Sequence, residues 1–497
     1  MAFRYRRPLW RAVARRLSVN NAFTANIGSF VGPGSGLRCR AMNEASAVTF
    51  ESALKARADA MAGACTCCGK CVEACPTTTA AGLTEDERGN PVAVIGGIID
   101  ILHSGAGNEA ARKWASGCLL SGECIKACDY GVNPRFLLQM ARIAMVQAKD
   151  DAATRRRKGV EGFRHVAHDV KHISRLQLDD ALLERLGQGA SPPSRAGEAT
   201  EGPADAPPDF VFYTGCNILK TPHIALLALD IMDAVGVRYE VMGGPTHCCG
   251  VQPMRSGDVA TFGRVAESTL DKMARSKSGQ VVSWCPSCHV NFTEVSLPAL
   301  EQTRGAKPFE MTPFTIYLRN NIDRLRPLLR EPVPMRIALH KHPGIAGVVE
   351  AAEEILWAVP GIEVVDLQQP AVGLQSNSLR INPKYRRELQ EAELDAAEAA
   401  GIDALVAIYH SDHRELCAHE RDRPFRIMNM YEIVGAGMGL HRGDHYKRLK
   451  IMQDADAILT DCRDLMQQHG LDAASTRRAI QAMLDEQPAP LRGGALP

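Results

Sequence analysis

Cysteine is the residue type in this 497-residue chain whose grouping carries the clearest chemistry. Twelve of the sixteen cysteines fall into three tight groups, and the other four are Cys39, Cys67, Cys417 and Cys462. At about 3% of the chain, cysteine is too sparse for a disulfide-dense scaffold. Thiols that are bunched within short stretches of chain are typical of metal sites in a reducing compartment. The grouping therefore predicts metal ligation rather than disulfide bonding.

The first group lies in the run CTCCGKCVEACP at residues 65–76. Cys65, Cys68, Cys71 and Cys75 have the spacing C-x2-C-x2-C-x3-C-P, with which bacterial ferredoxins hold a cubane [4Fe–4S] cluster. In two-cluster proteins the fourth cysteine of such a run binds the other cluster. A zinc knuckle is the alternative, but zinc sites usually pair two C-x2-C arms across a longer gap.

The second group, in the run CLLSGECIKAC at residues 118–128, lacks one thiol. Cys118, Cys124 and Cys128 match the first, third and fourth positions of the first run, and Ser121 takes the second. Such a site can hold a [3Fe–4S] cluster, a [4Fe–4S] cluster with serine or water on the fourth iron, or no cluster. Crossed ligation would place one cluster on Cys65, Cys68, Cys71 and Cys128, and the other on Cys75, Cys118 and Cys124.

The third group has the form C-x31-C-C-G-x34-C-x2-C and consists of Cys216, Cys248, Cys249, Cys285 and Cys288. Each of these cysteines ends a predicted strand or lies in a glycine-rich loop. The five thiols can therefore meet at the carboxyl edge of one parallel sheet, where α/β folds bind ligands. His247 and His289 flank the cysteines, either as groups that orient the ligands or as ordinary scaffold histidines.

The segments around these groups predict two kinds of fold. The first two groups lie among apolar-periodic helices, such as NPRFLLQMARIAMVQA with Pro134 in its first turn. After the flexible linker SPPSRAGEATEGPADAPP, short apolar strands alternate with helices, which is the signature of an α/β fold. The pattern recurs after about 120 residues, where MRIALH resembles DFVFYT. This recurrence predicts a duplicated α/β unit that forms two lobes.

Five regions are expected along the chain, and the first of them is strongly basic. Residues 1–43 hold eight arginines and no acidic residue, which is typical of an organelle transit peptide or of an over-extended start with Met42 as the true first residue. The regions are a basic, disordered extension at 1–50, a two-cluster helical domain at 51–150, a helical segment and linker at 151–208, a five-cysteine lobe at 209–330, and a degenerate second lobe with C-terminal helices at 331–497.

These features resemble two known modules. The helical region resembles the α-helical ferredoxin domain of succinate dehydrogenase iron–sulfur subunits and of the C-type subunit of heterodisulfide reductases. The five-cysteine spacing resembles the CCG module of the B-type and D-type subunits of heterodisulfide reductases and of glycolate oxidase iron–sulfur subunits. The resemblance implies an α-helical ferredoxin domain followed by a duplicated two-lobe α/β domain. It also implies a non-cubane [4Fe–4S] cluster on the third group, or zinc, which some members of the family bind there.

The second lobe departs from this family. His340 or His342 stands where the counterpart of Cys216 would fall, and AVGLQSN replaces HCCG. His410 and His413 replace the final pair of cysteines. These imidazoles are either metal ligands or remnants on a polar loop. Without a second cysteine set, a mechanism in which two non-cubane clusters clamp one disulfide is in doubt.

Several classes of function are disfavoured. The 58 Lys and Arg residues balance 57 Asp and Glu residues, which argues against a general nucleic-acid binder. No apolar stretch is long enough to span a bilayer, so any membrane association would be peripheral and made through a partner. No GxGxxG motif follows a strand and no GxxxxGK[ST] motif is present, so the sequence signals no flavin, nicotinamide or nucleotide site. Electrons must therefore come from another protein.

The leading prediction is an iron–sulfur oxidoreductase subunit in the cytoplasm or at the inner face of the membrane. It would pass electrons between a flavoprotein or quinone-reducing partner and a thiol/disulfide substrate at the third cysteine group, whose five thiols are then the catalytic residues. The alternative is a non-catalytic electron carrier bound to a flavin-dependent 2-hydroxyacid dehydrogenase of the glycolate or lactate type. A zinc-stabilised scaffold with vestigial cluster motifs is the third hypothesis.

Overall fold

The computed structural model describes residues 48–188, 207–371, 373 and 382–492. Nearly all of the predicted basic extension, including Cys39, lies outside the described residues. The same is true of most of the predicted linker and of most of the segment AVGLQSN.

The described residues up to 188 form helices joined by short turns. The helices are α1 (Phe50–Ala64), α2 (Lys70–Glu73), α3 (Glu85–Arg88), α4 (Pro91–Ser104), α5 (Glu109–Gly117), α6 (Glu123–Lys126), α7 (Pro134–Lys149), α8 (Ala152–Arg175) and α9 (Asp180–Arg185). Asparagine side chains cap three of them. Asn90, Asn108 and Asn133 each accept a hydrogen bond from the amide three residues ahead, which fixes where α4, α5 and α7 begin.

The first sheet has four parallel strands in the order β2-β1-β3-β4. Its elements are β1 (Phe210–Gly215), α10 (Pro222–Val235), β2 (Tyr239–Gly243), α11 (Val251–Arg255), α12 (Val259–Ala274), β3 (Gln280–Ser283), α13 (Pro286–Asn291), α14 (Leu297–Arg304), β4 (Glu310–Pro313), α15 (Phe314–Asn320) and α16 (Ile322–Leu325). Every residue of β1 is buried, as expected for a central strand that is covered on both faces.

The second sheet also has four parallel strands, in the order β6-β5-β7-β8. Its elements are β5 (Met335–His340), α17 (Val348–Trp357), β6 (Ile362–Val365), α18 (Pro383–Ala399), β7 (Ala404–Ala407), α19 (His410–Leu416), β8 (Arg426–Asn429) and α20 (Met430–Gly437). They are followed by α21 (His445–Met452), α22 (Ala455–Asp461), α23 (Arg463–Gln468) and α24 (Ala473–Asp485). The two sheets have the same relative strand order, and the predicted combination of helical and parallel α/β structure is confirmed.

Aromatic contacts join the helical region and the two sheets. The ring of Phe50 in α1 meets that of Phe262 in α12 edge-on at 5.3 Å. Trp284, which follows β3, packs at 4.9 Å against Tyr431 of the second sheet's α20. The Tyr431 hydroxyl lies 2.8 Å from the Thr315 hydroxyl. Among the described residues, no helix is both long and apolar enough to cross a membrane.

Arg135 at the start of α7 ties the helical region to both sheets. Its guanidinium pairs with Glu294 and donates hydrogen bonds to the carbonyls of Leu120 (2.9 Å) and Gly344 (2.6 Å). The arginine is only 5% exposed. Removal of its charge would leave a buried carboxylate and two carbonyls without their partner, and this lowers the free energy of unfolding.

We therefore expect Arg135→Met, which preserves most of the side-chain volume, to lower the free energy of unfolding by about 3–5 kcal/mol. Chemical denaturation of anaerobically prepared protein measures this change. Lys55→Met is the matched control, because it removes an exposed ion pair with Asp59 and should cost less than about 1 kcal/mol. Equal effects of the two substitutions would contradict the role assigned to Arg135.

Candidate metal centres

The first two cysteine runs share one backbone conformation. Cys65 caps the carboxyl end of α1, and Cys118 caps that of α5. Gly69 and Gly122, both with φ near +80°, begin the short helices α2 and α6. Left-handed residues also occupy equivalent places in the two loops, at Cys67 and at Leu120. Ser121 therefore takes the same loop position as Cys68.

One small cavity collects four thiols of the first two runs. It has a volume of about 20 Å³, and its cysteines are Cys65, Cys68, Cys71 and Cys128. Burial raises the pKa of Cys71 to about 12, and the neighbouring thiols Cys65 and Cys68 contribute further. A β-carbon on Gly69 would come within 2.8 Å of Pro91, so glycine is needed for this close packing. The grouping is the one that crossed ligation requires, and the ligand assignment itself stays a prediction.

The remaining thiols of the two runs, on Cys75, Cys118 and Cys124, act on one another electrostatically. Burial raises the pKa of both Cys118 and Cys124, and the Cys75 thiol adds to each shift. Arg142 opposes the shift of Cys118 and donates a hydrogen bond to the carbonyl of that residue. Sulfur ligands bind as thiolates, so a cationic iron cluster would supply the charge that these buried sulfurs need.

The third group forms a single centre at the carboxyl edge of the first sheet. Cys216 directly follows β1, Cys248 and Cys249 follow β2, and Cys285 and Cys288 follow β3. All five line one cavity of about 140 Å³. Parallel strands end at the same edge of a sheet, so cysteines 72 residues apart in the chain meet here because of the order β2-β1-β3.

The sulfur atoms of this centre are in direct contact. The Sγ atoms of Cys288 and Cys249 lie 3.3 Å apart, and the amide of Gly250 donates to the Cys248 sulfur at 3.3 Å. Hydrogen bonds from Cys248 and Cys288 lower the pKa of Cys249, while burial raises that of Cys216 to about 12. The five thiols cannot all ionise in this small volume unless a cationic group joins them.

Small and polar neighbours shape the centre, and the sequence prediction missed them. Gly215 has φ +74°, and a β-carbon there would lie 2.8 Å from Cβ of Cys285. The Thr269 hydroxyl donates to the Cys248 carbonyl, and the Asn291 amide donates to the Cys249 carbonyl, both at 2.8 Å. Neither Thr269 nor Asn291 stands in a recognisable motif, so only the packing of α12 and α13 reveals them.

The flanking histidines have partners within the protein. His247 Nδ1 lies 2.9 Å from the Gly243 carbonyl, and His289 Nδ1 lies 2.8 Å from the Ser283 hydroxyl. Burial lowers the pKa of His289 to about 4, which keeps this imidazole neutral at physiological pH. These contacts are typical of scaffold histidines.

The histidines of the second lobe do not form one site. His410 accepts a hydrogen bond from Trp284 Nε1 at 3.0 Å and lines the cavity of the third cysteine group. His413 lies instead 2.6 Å from a carboxylate oxygen of Asp444.

His340 and His342 lie together with Asp412 near the end of β5. Burial opposes protonation of His340, but Glu393 at 2.7 Å outweighs it and raises the pKa of His340 to about 9. In the absence of a metal, His340 therefore has Glu393 as its partner, and a metal bound by His340, His342 and Asp412 stays a prediction.

A larger cavity adjoins the five-cysteine centre. It has a volume of about 530 Å³ and shares Phe163, Pro245 and Cys248 with the smaller cavity. Its wall combines apolar side chains, three arginines and the carboxylate of Asp258; the apolar and basic members include Val160, Phe163, Val265, Arg156, Arg164 and Arg264. A mostly apolar molecule with anionic groups would fit this wall and reach the Cys248 side of the centre.

The cysteine-rich CCG domain family matches residues 210–293, a range that contains all five cysteines of the third group. The chain is a heterodisulfide reductase-like iron–sulfur protein. It is 23% identical to the D-type subunit of dihydromethanophenazine:CoB–CoM heterodisulfide reductase from Methanosarcina acetivorans over 329 residues, which are 61% of this chain and 75% of that relative. The Methanosarcina barkeri counterpart is 22% identical over 338 residues, which are 62% of this chain and 75% of that relative.

A second kind of relative is the B-type subunit of fumarate reductase (CoM/CoB) from Methanothermobacter marburgensis. It is 20% identical over 300 residues, which are 59% of this chain and 54% of that relative. No solved structure gives a significant match. Both kinds of relative are oxidoreductase subunits. The predicted class of this heterodisulfide reductase-like chain, an iron–sulfur oxidoreductase subunit, is therefore confirmed. The comparisons do not fix the cluster types.

Gly215→Ala should specifically damage the five-cysteine centre, because the added methyl group meets Cys285 and the backbone is left-handed at this position. We expect the variant to lose the iron bound by the third group and to keep the iron of the first two. Iron and acid-labile sulfide analysis of the anaerobic protein measures this loss.

Gly279→Ala is the matched control, because Gly279 has φ +70° and no atom within 4 Å of its added β-carbon. It should keep the full iron content. Full iron content in both variants would show that close packing at Gly215 is not needed for the centre.

Proposed function

We propose that this protein is the electron-transferring subunit of an oxidoreductase complex that acts on a thiol/disulfide substrate at the five-cysteine centre. A flavoprotein or quinone-reducing partner would exchange electrons with the helical N-terminal region. The meeting of five cysteine side chains in one cavity, beside a cavity large enough for a small molecule, is the observation that carries the proposal.

Two cavities, and the electrostatic effects of the other three thiols on one another, support the following ligand assignment. Residues of the first two runs would hold a [4Fe–4S] cluster, through Cys65, Cys68, Cys71 and Cys128, and a [3Fe–4S] cluster, through Cys75, Cys118 and Cys124. The third group, Cys216, Cys248, Cys249, Cys285 and Cys288, would hold a non-cubane [4Fe–4S] cluster. When bound, such clusters supply one-electron transfer at potentials that burial and hydrogen bonding can tune.

The arrangement of the three groups supports a linear order. A cavity of about 70 Å³ is lined by Leu120, from the second run, and by Ser287 and Asn291, from the third centre. Helices α2 and α6, which carry cysteines of the first two runs, are in contact. These contacts support a relay in which electrons pass through the second group between the first group and the third.

Reduction of a disulfide at the third centre follows RS–SR′ + 2 e⁻ + 2 H⁺ → RSH + R′SH. The S–S bond breaks and each sulfur takes up one proton, so the site must admit a proton source beside the electrons. The large cavity next to Cys248 gives the substrate a place to bind. Its arginines suit a thiol compound with anionic groups, since a guanidinium pairs well with carboxylate, sulfonate or phosphate oxygens.

The finer description of the fold belongs to the same proposal. We take residues 51–150 as an α-helical ferredoxin domain and the two sheets as a duplicated CCG-type unit. The shared strand order of the two sheets and the shared loop conformation of the two cysteine runs support this description.

The carrier hypothesis rests on a different observation. In the described part of the second lobe the cysteines are Cys417 and Cys462, and both are buried without a neighbouring thiol set. A second cluster that faces the first cannot be built from these residues. If one cluster is insufficient for disulfide chemistry, the protein would only relay electrons to or from a flavin-dependent 2-hydroxyacid dehydrogenase.

Turnover separates the two functions. With reduced benzyl viologen as donor and a CoM–CoB heterodisulfide as probe, we expect the anaerobic full-length protein to reduce the disulfide. Cys248→Ser should reduce the rate by at least about 100-fold, because nucleophilic or metal-ligating sulfur is lost. Cys417→Ser is the control, because Cys417 is a buried thiol that is distant in sequence from every cysteine group. This variant should keep the wild-type rate. Dye-reducible clusters without turnover in the wild type would favour the carrier.

The missing thiol of the second group gives a separate prediction. Ser121→Cys should complete a four-thiol set and remove the EPR signal that an oxidised [3Fe–4S] cluster gives in the wild type. Ser104→Cys adds an exposed thiol at the end of α4 and should leave that signal unchanged. A wild-type protein without a three-iron signal would contradict the assignment of this cluster.

A further inference from the structure

Two histidines and two carboxylates meet in the interior, and none of the four lines the cavity of a cysteine group. They are His223, His413, Glu432 and Asp444. His223 belongs to α10 of the first sheet, whereas the other three come from α19, from α20 and from the residue that precedes α21 of the second. One ligand atom from each residue can be chosen so that all four lie within 4.8 Å of one another.

These side chains lie close to one another, but they make few hydrogen bonds among themselves. Nε2 of His413 lies 2.6 Å from Oδ2 of Asp444. Nδ1 of His223 lies 3.4 Å from Oδ1 of the same carboxylate, and its Nε2 lies 4.0 Å from Oε2 of Glu432. The two imidazole rings are 5.5 Å apart.

His223 is the unusual member of the group. It is 3% exposed, and within the described parts of the chain neither of its ring nitrogens makes a hydrogen bond. Nδ1 of the fully buried His413 also lacks a hydrogen bond there. Buried polar atoms without partners are rare in native proteins, and an unpartnered one in such a place needs an explanation. A bound metal ion would provide it, since neutral imidazole is a common metal ligand.

The protonation states suit a cation. Burial lowers the pKa of His223, which favours the neutral imidazole that a metal ion requires. Burial by itself would raise the pKa of Asp444, but His223 and His413 hold it well below the ordinary value, so the carboxylate is ionised. The nearby ammonium of Lys447 is bound to Glu420 at 2.8 Å and to the Ile427 carbonyl at 3.0 Å.

Backbone hydrogen bonds fix the carboxylates. The amide of Lys447 donates to Asp444 at 2.9 Å, and the amide of Asn429 donates to Glu432 at 2.7 Å. Outer partners of this kind orient metal ligands in known sites. In Asp444 the amide takes Oδ1, while Oδ2 faces His413. In Glu432 the oxygen that accepts the amide, Oε2, is also the one 4.0 Å from His223.

We propose that His223, His413, Glu432 and Asp444 bind a zinc ion that joins the two lobes. A closed set of four protein ligands is typical of structural zinc, and nitrogen and oxygen ligands at about 2.0–2.2 Å give ligand–ligand distances of roughly 3.4 Å. That spacing lies within the 4.8 Å limit found for the four residues. Magnesium and calcium prefer more oxygen ligands and retain water, which a closed, half-imidazole set does not offer.

The test is metal analysis of the anaerobic full-length protein after incubation with zinc chloride and dialysis. We expect about one zinc per chain in addition to the iron. His223→Gln and Asp444→Asn should each lose this zinc, keep the iron and acid-labile sulfide, and lower Tm. His165→Gln, which changes an exposed histidine on α8, is the control and should keep the zinc.

X-ray absorption at the zinc edge of the wild-type protein tests the same proposal even if a variant fails to fold. It should show nitrogen and oxygen ligands without sulfur. Sulfur ligation would assign the zinc to the cysteines and overturn the proposal. Retention of zinc by folded His223→Gln protein, or failure of the wild type to bind zinc, would overturn it as well.

Discussion

The thiols of Cys118 and Cys124 lie in the protein interior, where burial raises their pKa and disfavours the thiolate form that binds metal. The third centre meets the same constraint, because the Cys216 thiol is held near a pKa of 12 in a cavity that it shares with four others. Sulfur packed in this way is stable as thiolate only beside a cation. We therefore interpret the helices, helix caps and sheet edges that bring these thiols together as a scaffold for inorganic clusters.

Two different local devices bring the sulfurs together. In the helical region, a left-handed residue and a glycine with positive φ reverse the chain between two helices, and the same reversal occurs twice. In the first sheet, parallel strands deliver their cysteines to one edge, and Gly215 leaves the room that Cys285 occupies. The second sheet keeps the strand order without the cysteines, so its edge carries His340, His342 and Asp412 instead.

Much of this could be predicted from the sequence, because cysteine spacing and strand periodicity are local signals. The strands DFVFYTG and MRIALH, the helix that begins at Pro134 and the convergence of the five cysteines all follow from such signals. Long-range contacts cannot be predicted from such local signals. Arg135, Asn291 and Thr269 act through residues distant in the chain, and His223 lies in an apolar helix, where a lone histidine resembles an ordinary core residue. The sequence grouped four histidines of the second lobe as candidate ligands, but the structure separates them. His340 and His342 lie near the end of β5, whereas His410 and His413 of α19 face different neighbours.

The central claim is that the grouped cysteines hold iron and inorganic sulfide in three separate clusters. Iron and acid-labile sulfide, measured together with zinc on anaerobically purified full-length protein, test it most directly. The account predicts about eleven iron atoms per chain, as the sum of a [4Fe–4S], a [3Fe–4S] and a non-cubane [4Fe–4S] cluster. A folded, colourless protein that holds zinc or disulfide bonds at these cysteines and no iron would contradict it.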